Sequence, residues 1–103
     1  MIRVIIERQI AETLEAAYEQ RARSVLQQAV EVPGFISGES LKNSNNPNHR
    51  VILSTWRSAA DWYRWYQSQE RRSMMAELNP MLDGQERIMI LEHAENPRGP
   101  DLS

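Results

Sequence analysis

The sequence predicts an α+β domain of the ferredoxin-like type, with the element order β-α-β-β-α-β and a four-stranded antiparallel sheet. Short β-branched segments alternate with two stretches in which apolar residues recur at three- and four-residue steps. A turn dense in asparagine lies between the two middle strands, which is typical of a β-hairpin. A chain of 103 residues is too short for two hydrophobic cores, so we expect one domain over residues 1–95 and a flexible tail over residues 96–103.

The first half of the chain predicts a strand, a helix and a second strand. Residues 2–8 form a short β-branched segment, which indicates a strand. Residues 12–31 show the spacing of an amphipathic helix. The Pro33-Gly34 pair ends this helix, because proline disfavours helical geometry in the residue before it. Residues 35–41 then predict the second strand of the sheet.

The second half repeats this alternation after a turn. Ser58 is a typical helix N-cap, and Asp61 lies in the first turn, where the helix dipole favours a negative charge. The predicted elements are a turn at 42–48, a strand at 50–57, a helix from 58 to 68, a further helix at 70–78 and a last strand at 85–93.

The composition excludes several classes of function. A net charge of -2 leaves no global positive field to attract nucleic acid, and no apolar run approaches the roughly 20 residues that a membrane helix needs. The absence of cysteine excludes thiol catalysis and thiolate metal sites, and His49 and His93 lie too far apart to suggest a metal site. We therefore predict a soluble, cytoplasmic domain with no metal and with neither nucleic acid nor membrane as a partner.

The predicted sheet carries large apolar side chains on both of its faces. In the first strand Ile2, Val4 and Ile6 share one face, while Ile5 lies on the other. Helices cover only one face of this fold, and an exposed apolar patch of that extent is rare on a monomer. We therefore expect a homodimer in which two sheets pack face to face. The alternative is a monomer with scattered apolar residues on its surface.

Two segments carry a resemblance to a known family. The stretch TWRSAADWYRWYQS (residues 55–68) joins a Trp at a strand end, a capping Ser and an aromatic helix, and residues 32–35 read VPGF. Together they resemble the antibiotic biosynthesis monooxygenase (ABM) domain family, over about residues 2–91. The resemblance implies a dimeric α+β barrel built from ferredoxin-like halves. It also implies a substrate pocket between the helices and the sheet of each subunit.

The family includes cofactor-independent quinol and anthrone oxygenases as well as haem-degrading oxygenases. In the haem-degrading branch the resemblance implies an Asn on the first strand, the Trp of the third strand and a His on the second helical region. Here Glu7 stands at the Asn position and Trp56 matches the Trp, but the expected His falls near Met74 and Met75, in a helix without His. Haem iron would lack its imidazole ligand, so we expect neither haem nor any other cofactor.

Trp56 is the first candidate site residue. Side-chain alternation places it with Ser54 on one face of the third strand and, by analogy, with Ile5 and Glu7 on the pocket side of the sheet. A flat indole there can stack on a quinol or polycyclic substrate, and its N–H supplies one hydrogen-bond donor. The alternative is that Trp56 is a core residue at the junction of sheet and helix.

Glu7 is the candidate general base. Desolvation on a mostly apolar face would raise the pKa of its carboxyl group toward the range useful for removing a proton from a phenol. Oxygenation without a cofactor needs such a base, an apolar cavity and donors for the substrate anion, which itself reduces dioxygen. The alternative is a solvated ion pair between Glu7 and Arg8 or Arg87.

Three further residues are predicted to shape the pocket. Trp62 and Tyr66 share a helix face one turn apart, and Met74 is unbranched and suits a pliable apolar wall. Ordinary core packing is the alternative for each of them. The sequence therefore predicts a cofactor-independent monooxygenase acting on a small aromatic or quinol-like molecule. Its alternatives are a non-catalytic dimeric binding or structural module of the same fold and a haem-degrading oxygenase.

Overall fold

The structure, a computed structural model, describes residues 1–94. The predicted tail at residues 96–103 lies outside the described residues. The elements are β1 (Ile2–Gln9), α1 (Glu15–Ala29), β2 (Phe35–Asn43), β3 (Asn46–Trp56), α2 (Ala59–Tyr66), α3 (Gln69–Leu78), a 3-10 turn (Asn79–Met81) and β4 (Arg87–Glu92).

The four strands form one antiparallel sheet in the order β2-β3-β1-β4. This order confirms the predicted ferredoxin-like α+β fold. The hairpin is longer than predicted, because β2 and β3 continue through most of the expected turn. Only Ser44 and Asn45 separate them, and the Asn45 amide donates to Oδ1 of Asn43 at 2.8 Å. An asparagine side chain that bonds the backbone two residues on can hold a tight turn in this way.

The largest difference between predicted and observed helical boundaries is at the start of α1. Helix α1 begins at Glu15 rather than at residue 12, because Thr13 adopts a positive φ of 72° that interrupts helical geometry. Ser58 and Ser68 each accept a hydrogen bond from the backbone amide three residues on, at 3.2 Å and 3.1 Å. These two caps begin α2 and α3 as separate helices.

The core lies between the helices and one face of the sheet and has two parts. Ile2, Val4 and Ile6 of β1 pack with Trp56 and Trp62 in the first part. The second part lies under the middle of α1 and the end of α3 and comprises Ile10, Tyr18, Ala22, Met75 and Leu78. All of these residues are buried, so the helix-covered face supplies the hydrophobic core of the domain.

Gly34 fixes the corner between α1 and β2. Its φ is +94°, in the region that favours glycine, and a Cβ at this position would overlap the side chain of Asp61. The carbonyl of Gly34 also accepts a hydrogen bond from the Arg57 amide at 2.7 Å. The contact of Gly34 with Asp61 and its hydrogen bond with Arg57 therefore hold the end of β3 and the start of α2 against the VPGF segment.

The other face of the sheet carries no helix in the described part of the chain. Ile5, Val51 and Leu53 are half-buried there, while Met89 and Leu91 are 56% and 41% exposed. We call this surface the open face. The homodimer predicted from it stays a prediction. No helix within residues 1–94 combines the length and apolar character needed to cross a bilayer.

Candidate functional site

The strand register separates the residues that were expected to share a pocket face. In an antiparallel pair, residues directly opposite each other project to the same side of the sheet. Trp56 lies opposite Ile2 and Ser54 opposite Val4, on the helix-covered face. Ile5 lies opposite Leu53 and Glu7 opposite Val51, on the open face. The placement of Ile5 and Glu7 beside Trp56 is therefore wrong.

Glu7 forms an ion-pair network on the open face. Its Oε1 accepts a hydrogen bond from Nε of Arg87 at 3.0 Å, and its Oε2 lies 2.6 Å from Nε2 of His49. Nδ1 of His49 in turn lies 3.1 Å from Nδ2 of Asn43. The hydrogen bonds from Arg87 and then from His49 hold the pKa of Glu7 below its ordinary value. The predicted raised pKa is wrong, and the alternative of an ion pair with Arg87 is confirmed.

Trp56 lies in a closely packed group of rings that we call the aromatic cluster, namely Phe35, Trp56 and Trp62. The ring centroids of Phe35 and Trp62 lie 5.3 Å and 5.5 Å from that of Trp56, both in edge-to-face geometry. Trp56 is 1% exposed, and its indole N–H donates to Oγ of Ser54 at 3.1 Å. The donor that was expected to meet a substrate is thus used within the core.

The other predicted pocket residues lie around this cluster. Trp62 is 2% exposed, and Met74 is half-buried against the same core. Tyr66 is 42% exposed, with its ring centroid 5.8 Å from that of Trp62. The structure therefore brings Ser54, Trp56, Trp62 and Tyr66 together, with only Tyr66 reaching the surface. A contact between these residues and a substrate stays a prediction.

A largely buried charged group continues from the aromatic cluster to the other end of the helix-covered face, and its Arg71 guanidinium lies 5.7 Å from the ring centroid of Trp62. We call this group the arginine cluster: Arg8, Tyr18, Arg50, Arg71 and Glu86. Nε of Arg8 donates to Oε2 of Glu86 at 2.9 Å, and Nη2 of Arg71 donates to Oε1 at 2.7 Å. Burial would raise the pKa of Glu86, but the charges of the two arginines outweigh it and hold the pKa below its ordinary value.

Tyr18 lies between two guanidinium groups of this cluster. Its hydroxyl accepts a hydrogen bond from Nη1 of Arg8 at 3.1 Å, and its ring centroid lies 5.8 Å from Cζ of Arg50. The three arginines are buried, whereas Glu86 is the one acidic side chain within hydrogen-bond distance of them among residues 1–94. This end of the core therefore carries an excess of buried positive charge.

A cavity of about 390 Å³ opens beside Arg50, between α1 and the β2–β3 hairpin. We call it the α1 cavity. Its apolar walls include Ala22, Leu26 and Ile52, and its charged lining residues are Glu19, Arg23, Lys42 and Arg50. The arrangement is a small cleft, partly open to solvent, with apolar side chains in its wall, charged side chains at its exposed rim and one buried cation, Arg50.

A second cavity, the α3 groove, has a volume of about 800 Å³ and lies between α3 and β4. Tyr66, Arg71, Met75, Glu86 and Ile88 are among its lining residues. The charges of Arg71 and Glu86 are already paired, because these side chains bond to each other. Trp56 lines neither the α1 cavity nor the α3 groove. Residues 1–94 contain no group of three or more potential metal ligands.

Sequence reasoning missed Glu19, Arg50 and the arginine cluster. A signal was present for Arg50, which shares the alternation of Ile52, Ser54 and Trp56 and so had to lie on the buried face of β3. Glu19 gave no such signal, because a glutamate on an amphipathic helix is typically part of its solvated side.

The fold and the arrangement of the site define a class, a small α+β domain with a helix-covered sheet and, beside it, a cleft with apolar side chains in its wall. The family described as antibiotic biosynthesis monooxygenase matches residues 1–77. The chain therefore belongs to the antibiotic biosynthesis monooxygenase family, as the TWRSAADWYRWYQS and VPGF segments indicated.

Individual proteins resemble this chain at low sequence identity. Protein SchA of Streptomyces halstedii is 28% identical over 83 residues, which are 81% of this chain and 22% of that protein. The chain thus spans about a fifth of the length of this curated relative. A conserved protein from Methanosarcina mazei Go1 has a TM-score of 0.80 at 19% identity, over 86% of this chain and 88% of that chain. SnoaB from Streptomyces nogalater, a cofactor-independent oxygenase solved in a mutant form, has a TM-score of 0.82 at 11% identity, over 95% and 97% of the two chains. At these identities the structural likeness shows the fold alone.

Proposed function

We propose that this protein is a cofactor-independent monooxygenase that oxidises a small, electron-rich phenol or quinol-like molecule in the α1 cavity. The substrate loses a proton, and its anion gives one electron to dioxygen. The two radicals combine at a ring carbon that bears hydrogen, and the peroxide anion takes up a proton in place of the one the phenol lost. The resulting hydroperoxide loses water to leave a new carbonyl group. One oxygen atom enters the product and the other leaves as water, so no external reductant is needed.

The observation that carries this proposal is a buried guanidinium in the wall of a cleft lined by apolar side chains. Arg50 is 6% exposed and lines the cavity together with Ala22, Leu26 and Ile52. Apolar walls can hold an aromatic ring, while a buried cation stabilises the negative charge that develops on the substrate. The volume of about 390 Å³ lies at the small end of ligand pockets, which suits one compact aromatic molecule.

The aromatic cluster has a supporting part in this proposal. Ile52 packs against the core that contains Trp56 and also lines the α1 cavity. Trp56, Ser54 and Trp62 therefore hold one wall of the chamber rigid without touching its contents. Tyr66 lines the α3 groove and Met74 packs against the core, and we assign neither of them a contact with substrate.

Oxygen uptake with a panel of hydroquinones and dihydroxynaphthalenes tests the function. We expect uptake with at least one of them, and isotopically labelled dioxygen should leave one labelled atom in the product and one in water. Leu26→Trp fills the α1 cavity from a half-buried position and should abolish uptake, whereas Tyr66→Ala in the α3 groove should not. Loss of uptake only in Tyr66→Ala would move the site to the groove. No uptake with any compound would favour a non-catalytic binding module.

We further propose that the protein acts as a homodimer through the open face, in the cytoplasm. The support for a dimer is the exposure of Met89 and Leu91 beside Ile5 and Leu53, on a surface that no helix within residues 1–94 covers. Sedimentation at micromolar concentration should give twice the chain mass, and Met89→Glu should give single chains because it introduces charge into the apolar contact. A wild-type protein that sediments as a single chain would contradict the dimer.

A further inference from the structure

Arg50 differs from the other buried arginines in how its nitrogen atoms are used. Its Nε donates to the carbonyl of Pro47 at 2.7 Å, while no hydrogen bond joins its terminal nitrogens to any group within residues 1–94. Arg8, by contrast, donates to Glu86, Tyr18 and the sulfur of Met75. A guanidinium presents five donors, so Arg50 keeps unused ones at the wall of the α1 cavity.

The acidic side chain nearest to these nitrogens is Glu19 of α1. Its Oε2 lies 3.8 Å from Nη1 of Arg50, which is too long for a hydrogen bond but close enough for electrostatic attraction. Glu19 also lines the α1 cavity, and its side chain is 49% exposed. A carboxylate in that position can take a proton from a molecule inside the cavity and exchange it with water outside.

We propose that Glu19 and Arg50 act together on the substrate, with Glu19 as the general base and Arg50 as the binding site for the anion. This inference rests on the proposed function and gives its phenol substrate two contacts in the α1 cavity. The O–H bond of the phenol breaks, its proton moves to Oε2 of Glu19, and the electron pair stays on the phenolate oxygen. Glu19 becomes neutral at that moment, and Arg50 exchanges one anionic partner for another.

The charge balance explains why this pair suits the task. Before the proton transfer Arg50 faces the carboxylate of Glu19, and after it Arg50 faces the phenolate, so the buried cation keeps one anionic neighbour throughout. The other charged groups around the cavity are Arg23 on α1 and Lys42 on β2, both cationic, and Arg8 lies behind Tyr18. Arg23 and Lys42 favour an anion in this cavity, whereas the charge of Arg8 is already paired with Glu86.

Binding of 4-nitrophenol tests the anion site separately from oxidation. Its two protonation states absorb at different wavelengths, and its electron-poor ring does not reduce dioxygen. We expect the apparent pKa of the bound phenol to fall by about one unit, which is a tenfold preference for the anion. Arg50→Met should abolish that preference, and Arg50→Lys should keep part of it. Arg72→Met, which removes the same charge from the exposed surface of α3, should leave it unchanged.

The pH dependence of oxygen uptake tests the base. Glu19→Gln should lower kcat by about 10²-fold or more and remove the acidic limb of the pH profile, while 4-nitrophenolate still binds. Wild-type kcat and pH profile in Glu19→Gln would overturn its role as base, and an unchanged anion preference in Arg50→Met would overturn the anion site. If 4-nitrophenolate binds through Arg50 but no phenol is oxidised, the anion site stands, and the proposed function fails together with the base.

Discussion

The two ends of the helix-covered face are packed by opposite chemistry. At the Trp56 end of β3, rings meet edge to face and the one polar group of the indole bonds to Ser54 inside the core. At the other end, Arg50 points from the same face of the same strand, and a cavity of about 390 Å³ opens beside it. The packed rings leave no space, and the indole N–H is already bonded. At Arg50 there is a cavity, and the terminal nitrogens have no hydrogen-bond partner within residues 1–94. In this domain the α1 cavity lies where the core is polar.

The largest effect should come from the aromatic end. Trp56→Ala removes a fully buried ring from contact with Phe35 and Trp62, and we expect the free energy of unfolding to fall by about 3–5 kcal/mol. Urea denaturation measures this change. Trp56→Phe should keep most of the contact and lose less. A loss under about 1 kcal/mol for the alanine variant would mean that this end of the core is not closely packed.

Glu86→Gln tests whether the buried ion pairs stabilise the arginine end of the core. It leaves Arg8 and Arg71, both buried, without a negative partner, and we expect unfolding to become easier by about 3 kcal/mol. The matched control is Glu77→Gln, which breaks the exposed pair with Arg21 at 2.8 Å and should cost less than about 1 kcal/mol. Equal small losses in the two variants would show that the buried charges are hydrated and not part of the core.

Two glycines with positive φ separate the cost of backbone strain from the cost of steric overlap. Gly34 at the aromatic end and Gly84 in the loop before β4 have φ values of +94° and +93°. Gly84→Ala should cost about 1–3 kcal/mol from the positive φ alone, because no atom lies within 4 Å of the new Cβ. Gly34→Ala adds the overlap with Asp61 and should lower Tm further. Equal Tm values would mean that the corner at Gly34 can relax.

The smallest predicted effect is on the stability of the fold at low pH. Asp61 accepts hydrogen bonds from Arg57, Ser58 and Arg64, and the bonds led by Arg57 lower its pKa to about 2. The folded form therefore binds this proton less readily than the unfolded chain, so the contribution of Asp61 to stability is present above about pH 4 and is lost as the pH falls toward about 2. Unfolding midpoints measured down this range should fall less steeply for Asp61→Asn. Parallel slopes would contradict the lowered pKa.

Much of the fold could be predicted from the sequence, because the signals for it are local. The period of the apolar residues indicated each element, Ser58 marked the start of α2, and residues 32–35 marked the corner at Gly34. The order of the strands followed from the order of the elements. The start of α1 was misjudged, because it depends on the positive φ of Thr13.

The site was less predictable because it depends on pairing between distant strands. Alternation showed which residues of β3 share a face, but only the register of Ile2 opposite Trp56 shows that Glu7 lies on the opposite side of the sheet. The choice of Arg87 over Arg8 as the partner of Glu7 likewise depends on β4 lying beside β1. The α1 cavity depends on the spacing of a helix over a hairpin, which no residue pattern specifies.

The position of Glu86 has a consequence for the order of assembly. It lies 78 positions beyond Arg8, and the strand that follows it pairs with β1 at an edge of the sheet. On a ribosome, a nascent chain that has emerged only as far as α3 carries two guanidinium groups that stay hydrated until their shared carboxylate arrives. We therefore expect the arginine end of the domain to fold late, after the hairpin has formed and the tryptophan side chains have packed.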